Sequence, residues 1–183
     1  RDIKYLTHPG QLWVSDITYI RLNKGFCYLS IITDAYSHRI IGYCLHPTLH
    51  STGPINALVM ACGSKRQATL IHHSDRGSQY CCDEHVKLLE HYNIRISMTE
   101  NGDPYENAIA ERVNGILKTE FELHKTFTGF DEAEKAVHSA VDRYNRIRPH
   151  ASCDNLTPDQ AHVSSGVLRK RWKTKADHEK MIN

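Results

Sequence analysis

The chain has 183 residues, 40% hydrophobic and 24% charged, with a formal net charge of +2. That is enough for one globular domain with a real core, and the charge is too small to point to nucleic acid by itself. The six cysteines form no CxxC pair, the thirteen histidines form no HExxH, and no run of 18 apolar residues occurs. Zinc-knuckle, disulfide-scaffold and membrane-spanning readings therefore find no support, and a reducing cytoplasm is the expected setting.

In chain order, "LWVSDITYIRL" (12–22) is rich in β-branched and aromatic residues and predicts a strand. "NKG" turns the chain into a second strand over 26–36, ended by Asp34, and "HRIIGYCLH" (38–46) predicts a third. Short connections make these an antiparallel meander. The period then changes. "STGPINALVMACG" (51–63) predicts a helix with Pro54 in its first turn and Gly63 as its stop. "ATLIHH" (68–73) is short and apolar, as a buried strand would be. A helix over 81–93 and an alternating strand over 94–99 follow.

After "ENGDPYENA", Asp103, Pro104 and Glu106 suit the cap, first and third positions of a helix running to about His124, with Gly115 as a weak point. Gly102 suggests a mobile loop ahead of it. Another helix over 130–148 must stop before Pro149, and a short one over 157–163 has Thr157 and Gln160 as a cap pair. The expected fold class is α/β, a five-stranded mixed sheet flanked by helices. The tail "RKRWKTK" (169–175) carries five basic residues in seven and reads either as a solvated end or as a nucleic-acid contact.

Position selects among the acids. Asp16 lies inside the first strand, on the same pleat side as Val14 and Thr18, where a carboxylate is costly unless something pairs with it. Asp75, read alone, is a turn residue in "HHSDRGSQY", but it also lies at the end of the fourth strand, where ligand sites gather in sheets with parallel neighbours. On the helix that follows, Ile109, Val113, Ile116 and Leu117 fall within an arc of about 100° and form the core stripe. Glu111 points away from it, with Lys118 within about 20° of the same direction and Asn107 and Asn114 on that side. For an isolated helix this would be an ordinary solvated face.

The order is Asp on the first strand, Asp after the fourth, 35 residues, then Glu on a helix with Lys seven later. It resembles the D,D-35-E catalytic core of retroviral integrases and of OrfB-type transposases of the "IS-three" insertion-sequence family. "WVSDITYI", "DAYSHRIIGY", "HHSDRGSQY", "SMTENGDPYENAIAE", "LKTE", "YNRIRPH" and "TPDQA" carry the resemblance across about residues 12–163. His38, Glu106 and "RVNG" (112–115) depart from the usual pattern without touching the three acids or Lys118.

The resemblance implies a ribonuclease H-like fold with three antiparallel strands and then two parallel ones. It implies two Mg²⁺ ions, replaceable by Mn²⁺, held by Asp16, Asp75 and Glu111, and DNA contacts by Lys118 and Asn107. The implied reaction cleaves element ends and joins the freed 3′-hydroxyl to another DNA strand. The implied partners are DNA and further copies of the chain, in a bacterial cytoplasm near the nucleoid. Residues 1–11 are expected to be a lead-in from a longer protein, 12–150 the core, and 151–183 a helical extension with the basic tail. A nuclease of the same fold without strand transfer and an inactive DNA-binding or assembly module are the rival readings. His72, His73, Arg76, Arg148 and His150 receive no role from the sequence.

Overall fold

A computed structural model describes residues 6–63, 69–98 and 108–171. Three strands open it: β1 (Leu12–Leu22), β2 (Phe26–Asp34) and β3 (Ile40–His46). Helix α1 (Thr52–Cys62) follows, then β4 (Ile71–Ser74), α2 (Asp83–His91), β5 (Arg95–Met98) and α3 (Ala108–Thr119). The chain continues through β6 (Thr126–Phe127), α4 (Phe130–Ile147), a 3-10 turn (Ala151–Cys153) and α5 (Pro158–His162). The sheet order is β3-β2-β1-β4-β5, with β6 added to the edge of β1. β1, β2 and β3 are antiparallel, while β4 runs parallel to β1 and β5 parallel to β4. The five-strand order agrees with the expectation, and β6 is an addition to it.

Alternation along the strands divides the core into two layers. Ile20, Leu29 and Ile31 face α3 and α4, where Val113, Leu117, Val137, Val141 and Tyr144 close over them. Trp13 and Ile32 face α1 and α2, packed with Leu58, Leu70 and Leu89. Burying side chains of this size contributes about 1.5–3 kcal/mol each. Helix α1 lies close against β3: a Cβ added to Gly42 would stand 2.2 Å from the Ala57 carbonyl oxygen. Only glycine permits that approach.

Two element ends have clear local causes, the first as expected and the second not. β2 ends at Asp34 because its buried carboxylate gathers the next turn: it accepts from the backbone N–H of Tyr36 at 3.2 Å and of Ser37 at 3.0 Å, and from the Ser37 hydroxyl at 3.0 Å. The Gly10 N–H reaches its other oxygen at 2.7 Å. Helix α3 stops at Thr119 rather than near His124. The N–H groups of Glu120, Leu123 and His124 take up the carbonyls of Ile116, Leu117 and Lys118, and Glu122 turns left-handed at φ 63°. No glycine marks that stop, and the buried Leu123 prolongs the apolar period beyond the true end.

The proposed cap of α3 at Asp103, Pro104 and Glu106 lies outside the described residues, as does the Gly102 loop. The Thr157–Gln160 capping box of α5 is present. Residues 151–171 fold back on the core: Arg39 bonds Asp159 at 2.7 Å, and Tyr36 donates to the Gly166 carbonyl at 3.0 Å.

Candidate active site

β1 has two neighbours on the same edge, and they do not meet. β4 pairs with Leu12–Val14 and β6 with Arg21 and Leu22. Between them, residues 15–20 have no strand partner on that edge among the described residues. Asp16 sits at the start of this gap.

Its half-buried carboxylate is held from two directions. Asn114 of α3 donates its side-chain amide to one oxygen at 2.8 Å, and the Ile17 N–H reaches the other at 2.9 Å. A carboxylate only accepts, so the Asn114 nitrogen must face it. Burial raises the Asp16 carboxyl above the usual carboxylate range. The two hydrogen bonds oppose that shift, and the negative charges of Asp75 and Glu111 add to it. Those repulsions bring the three sequence-selected acids into one electrostatic neighbourhood, although they stand on three different elements.

Asp75 is the first residue after β4 and is exposed. Its carboxylate accepts the Gly77 N–H at 2.9 Å, an Asx turn that leads from strand to helix. The turn reading is therefore satisfied, and the same turn presents Asp75 at the carboxyl end of β4. Tyr80 is buried beneath. Its hydroxyl, without a partner among the described residues, is pushed well above its ordinary range by burial first and by Asp16 and Asp75 next. Glu111 is exposed in the first turn of α3. Lys118 lies two turns on, its ammonium 4.1 Å from the centre of the Tyr19 ring. Asn107 lies outside the described residues.

Sequence reasoning placed Asn114 on the solvated side of α3, yet it is 95% buried, being 5% exposed. The helix is covered on two sides: its apolar stripe faces the core, and Ala110 and Asn114 sit over β1. A polar residue at the border of a helical stripe, one turn from a selected acid, was the available signal.

Four of the five unassigned residues make structural contacts. His72 is buried and shares a 2.6 Å hydrogen bond with the Ser15 hydroxyl, and burial pushes its pKa down to about 3. His73 meets the Ser97 hydroxyl at 3.0 Å across the β4–β5 pair. Arg148 clasps Glu120 with two bonds of 2.6 Å. The His150 ring packs 5.2 Å from both Tyr144 and His38. Arg76 is exposed in the turn after Asp75.

Among the described residues, no three His, Cys, Asp or Glu side chains stand as a ready-made metal clasp. The donor set still fits hard divalent cations. It is all oxygen, it carries excess negative charge, and Asp16 is shared electrostatically with each of the other two.

With this geometry in view, the comparisons with known proteins agree. The integrase core domain family model matches residues 7–104, and a second integrase core domain model matches 92–158. An insertion element IS600 31 kDa protein of Shigella sonnei is 38% identical over 154 residues, covering 83% of this chain and 57% of the relative. Transposase InsF for insertion sequence IS3A of Escherichia coli K12 is 35% identical over 158 residues, covering 85% of this chain and 55% of the relative. The chain thus spans little more than half the length of these relatives. The catalytic core domain of HTLV-2 integrase, solved in complex with magnesium, superposes with a TM-score of 0.68 at 20% identity, covering 85% of this chain and 97% of that one. The shared fold is ribonuclease H-like, and no helix among the described residues is long and apolar enough to cross a membrane. Strand order, the placement of the acids and these likenesses lead to one conclusion: the chain belongs to the integrase core domain family, with insertion-sequence transposases as its relatives.

Proposed function

We propose that this chain is the catalytic core of a transposase that cuts DNA at element ends and joins the freed 3′-hydroxyl to a second DNA strand. The observation that carries the reading is the position of Asp16. It is a half-buried carboxylate, fixed by Asn114 at the open edge of β1 and crowded by the charges of Asp75 and Glu111. Such crowding disfavours full ionisation and makes the group a cation receptor.

Asp16 would serve two Mg²⁺ ions, with Asp75 and Glu111 holding one each; Mn²⁺ would substitute. Bound there, the ions supply the positive charge that an in-line phosphoryl displacement needs at its attacking and leaving oxygens. The chain's own residues do the positioning. Asn114 and the Ile17 N–H fix both oxygens of Asp16, and the Asx turn fixes Asp75. In the first reaction water attacks phosphorus and a 3′-hydroxyl leaves. In the second that hydroxyl attacks another phosphodiester and a new 3′-hydroxyl leaves. No serine, tyrosine or cysteine nucleophile is required, because neither step forms a bond to the protein.

Lys118 contacts a phosphate near the scissile bond, and Asn107 is a second DNA contact that the family resemblance implies. Residues 12–150 form the core of this unit. The partners are transposon-end and target DNA and further copies of the chain. The magnesium complex of the HTLV-2 core supports the cation, and the insertion-sequence relatives support the DNA substrate.

The test is Asp75→Asn in a cleavage and joining assay with Mg²⁺ or Mn²⁺. The exposed side chain leaves the fold intact, and activity is expected to fall at least a thousandfold. Undiminished activity would overturn the assignment. Retained cutting without any joining by the wild type would favour a plain nuclease.

A further inference from the structure

The gap in the edge of β1 opens onto a second feature that the catalytic reading does not use. The β1–β2 register sets Tyr19 opposite Tyr28 and Arg21 opposite Phe26, so these four side chains share one face of the sheet. It is the pleat side of Trp13, but here α1 no longer covers it. Tyr19 is 55% and Phe26 44% exposed. Their rings meet edge to face at 5.4 Å. Each ring carries a cation: the Arg21 guanidinium lies 5.4 Å from the centre of Phe26, and the Lys118 ammonium 4.1 Å from that of Tyr19.

Single exposed aromatics are common and need no explanation. Two in contact, each with a cation over it, three residues from the central acid, are a more specific arrangement. Three residues of strand span about 10 Å. A protein partner's apolar anchor would have to strip water from an ammonium and a guanidinium to bury these rings. A DNA strand supplies a phosphate to each cation and a flat base to each ring, the combination found in single-strand binding surfaces.

We propose that Tyr19 and Phe26 are a stacking platform for unpaired bases at the DNA end, and that Tyr19 also holds Lys118 at the rim of the acid site until a phosphate takes it. This rests on the transposase reading. On binding, the ammonium exchanges the ring for the phosphate next to the scissile bond, and the exposed ring receives a base. Lys118 reaches this side of the sheet past the edge of β1 at residues 15–20, where no strand pairs among the described residues. Tyr19 is thus a positioning residue for Lys118 as well as a DNA contact.

The experiment is metal-free fluorescence anisotropy with two labelled duplexes of one sequence, one blunt and one with three unpaired bases at the end. Base–aromatic stacking is worth about five- to a hundredfold in affinity per base. The wild type is expected to prefer the unpaired end by at least fivefold. The Tyr19→Leu, Phe26→Leu double variant is expected to lose that preference, its affinity for the unpaired end falling at least fivefold more than its affinity for the blunt duplex. Tyr19→Phe, which keeps the ring, is expected to retain it. No preference in the wild type, a preference that survives in the double variant, or its loss in Tyr19→Phe would each overturn the proposal. Asp75→Asn is expected to show the wild-type preference here, so failure of the platform and failure of the catalytic assignment are read from different assays.

Discussion

The two halves of β1 share a strand and differ in what surrounds them. Leu12–Val14 lie between β2 and β4, and Trp13 and Val14 are almost wholly buried. Residues 15–20 keep β2 on one side and, among the described residues, no strand on the other until β6 closes the edge at Arg21. The closed half is a support that anchors two hydrophobic layers. The open half carries Asp16, held by Asn114, and the exposed Tyr19, which Lys118 of α3 reaches. The difference teaches that a tertiary hydrogen bond, Asn114 to Asp16, holds β1 where no strand pairs with that edge among the described residues.

The largest effect separates the halves by chemistry. Asp16→Asn at the open half is expected to abolish metal-dependent cleavage and joining, a loss of at least a thousandfold, with the circular dichroism spectrum unchanged. Leu29→Ala, in the apolar layer that the sheet builds against α3 and α4, is expected to do the reverse. A fully buried leucine truncated to alanine costs about 2–5 kcal/mol. Denaturant unfolding measures that loss, and the specific activity of the folded fraction is expected to stay near wild type.

Buried histidines, away from the three acids, carry the acid sensitivity. Burial lowers the pKa of His72 and His150 to about 3 and of His38 and His85 to about 4. A histidine held neutral in the fold stabilises it above its unfolded pKa of about 6.5. That contribution drains away as the pH falls toward the folded pKa, because only the unfolded chain gains protons. Each group then costs about 1.4 kcal/mol per pH unit. Urea unfolding is expected to show several kcal/mol lost between pH 6.5 and 4.5. His72→Gln, which leaves a polar partner for Ser15, is expected to flatten the slope.

Asn114→Ala sharpens the comparison further. It removes the restraint on Asp16 but no ligand, so activity is expected to fall about ten- to a hundredfold, the range seen when groups behind a metal ligand are removed. A higher Mg²⁺ requirement is expected with it, and Asn114→Gln is not expected to restore function, because the longer side chain displaces the amide. The smallest effect is thermal. A carboxyl whose folded pKa is raised stabilises the fold below its unfolded pKa and loses that contribution as the pH rises through the raised value. At neutral pH its charge is therefore a net cost. Asp16→Asn is expected to melt slightly above the wild type without metal, and added Mg²⁺ is expected to stabilise only the wild type.

Much of this was legible in the sequence, because strands and helices here keep their periods. β1 has the predicted bounds, and α4 and α5 differ from theirs by a residue or two. Spacing and order selected the three acids without knowledge of contacts, and in the structure the charges of Asp75 and Glu111 act on Asp16. What escaped was tertiary. β6 is two residues long and exists only by pairing with β1. Asn114 is buried because α3 is covered on two sides, which no single-helix projection contains. Tyr19 looked like one more strand aromatic. Its exposure follows from α1 ending short of it, and its contact with Lys118 from an opening in an edge that strand propensity does not encode.

The central claim is that Asp16 and Asp75, from different strands, hold one cation at the open half of β1. The most direct measurement is a crystal structure with Mn²⁺ soaked in, read by anomalous scattering. The account predicts a peak between the two carboxylates, each with an oxygen at about 2.0–2.2 Å, and none in Asp75→Asn. A peak elsewhere with these two carboxylates empty, or the same peak in Asp75→Asn, would contradict it.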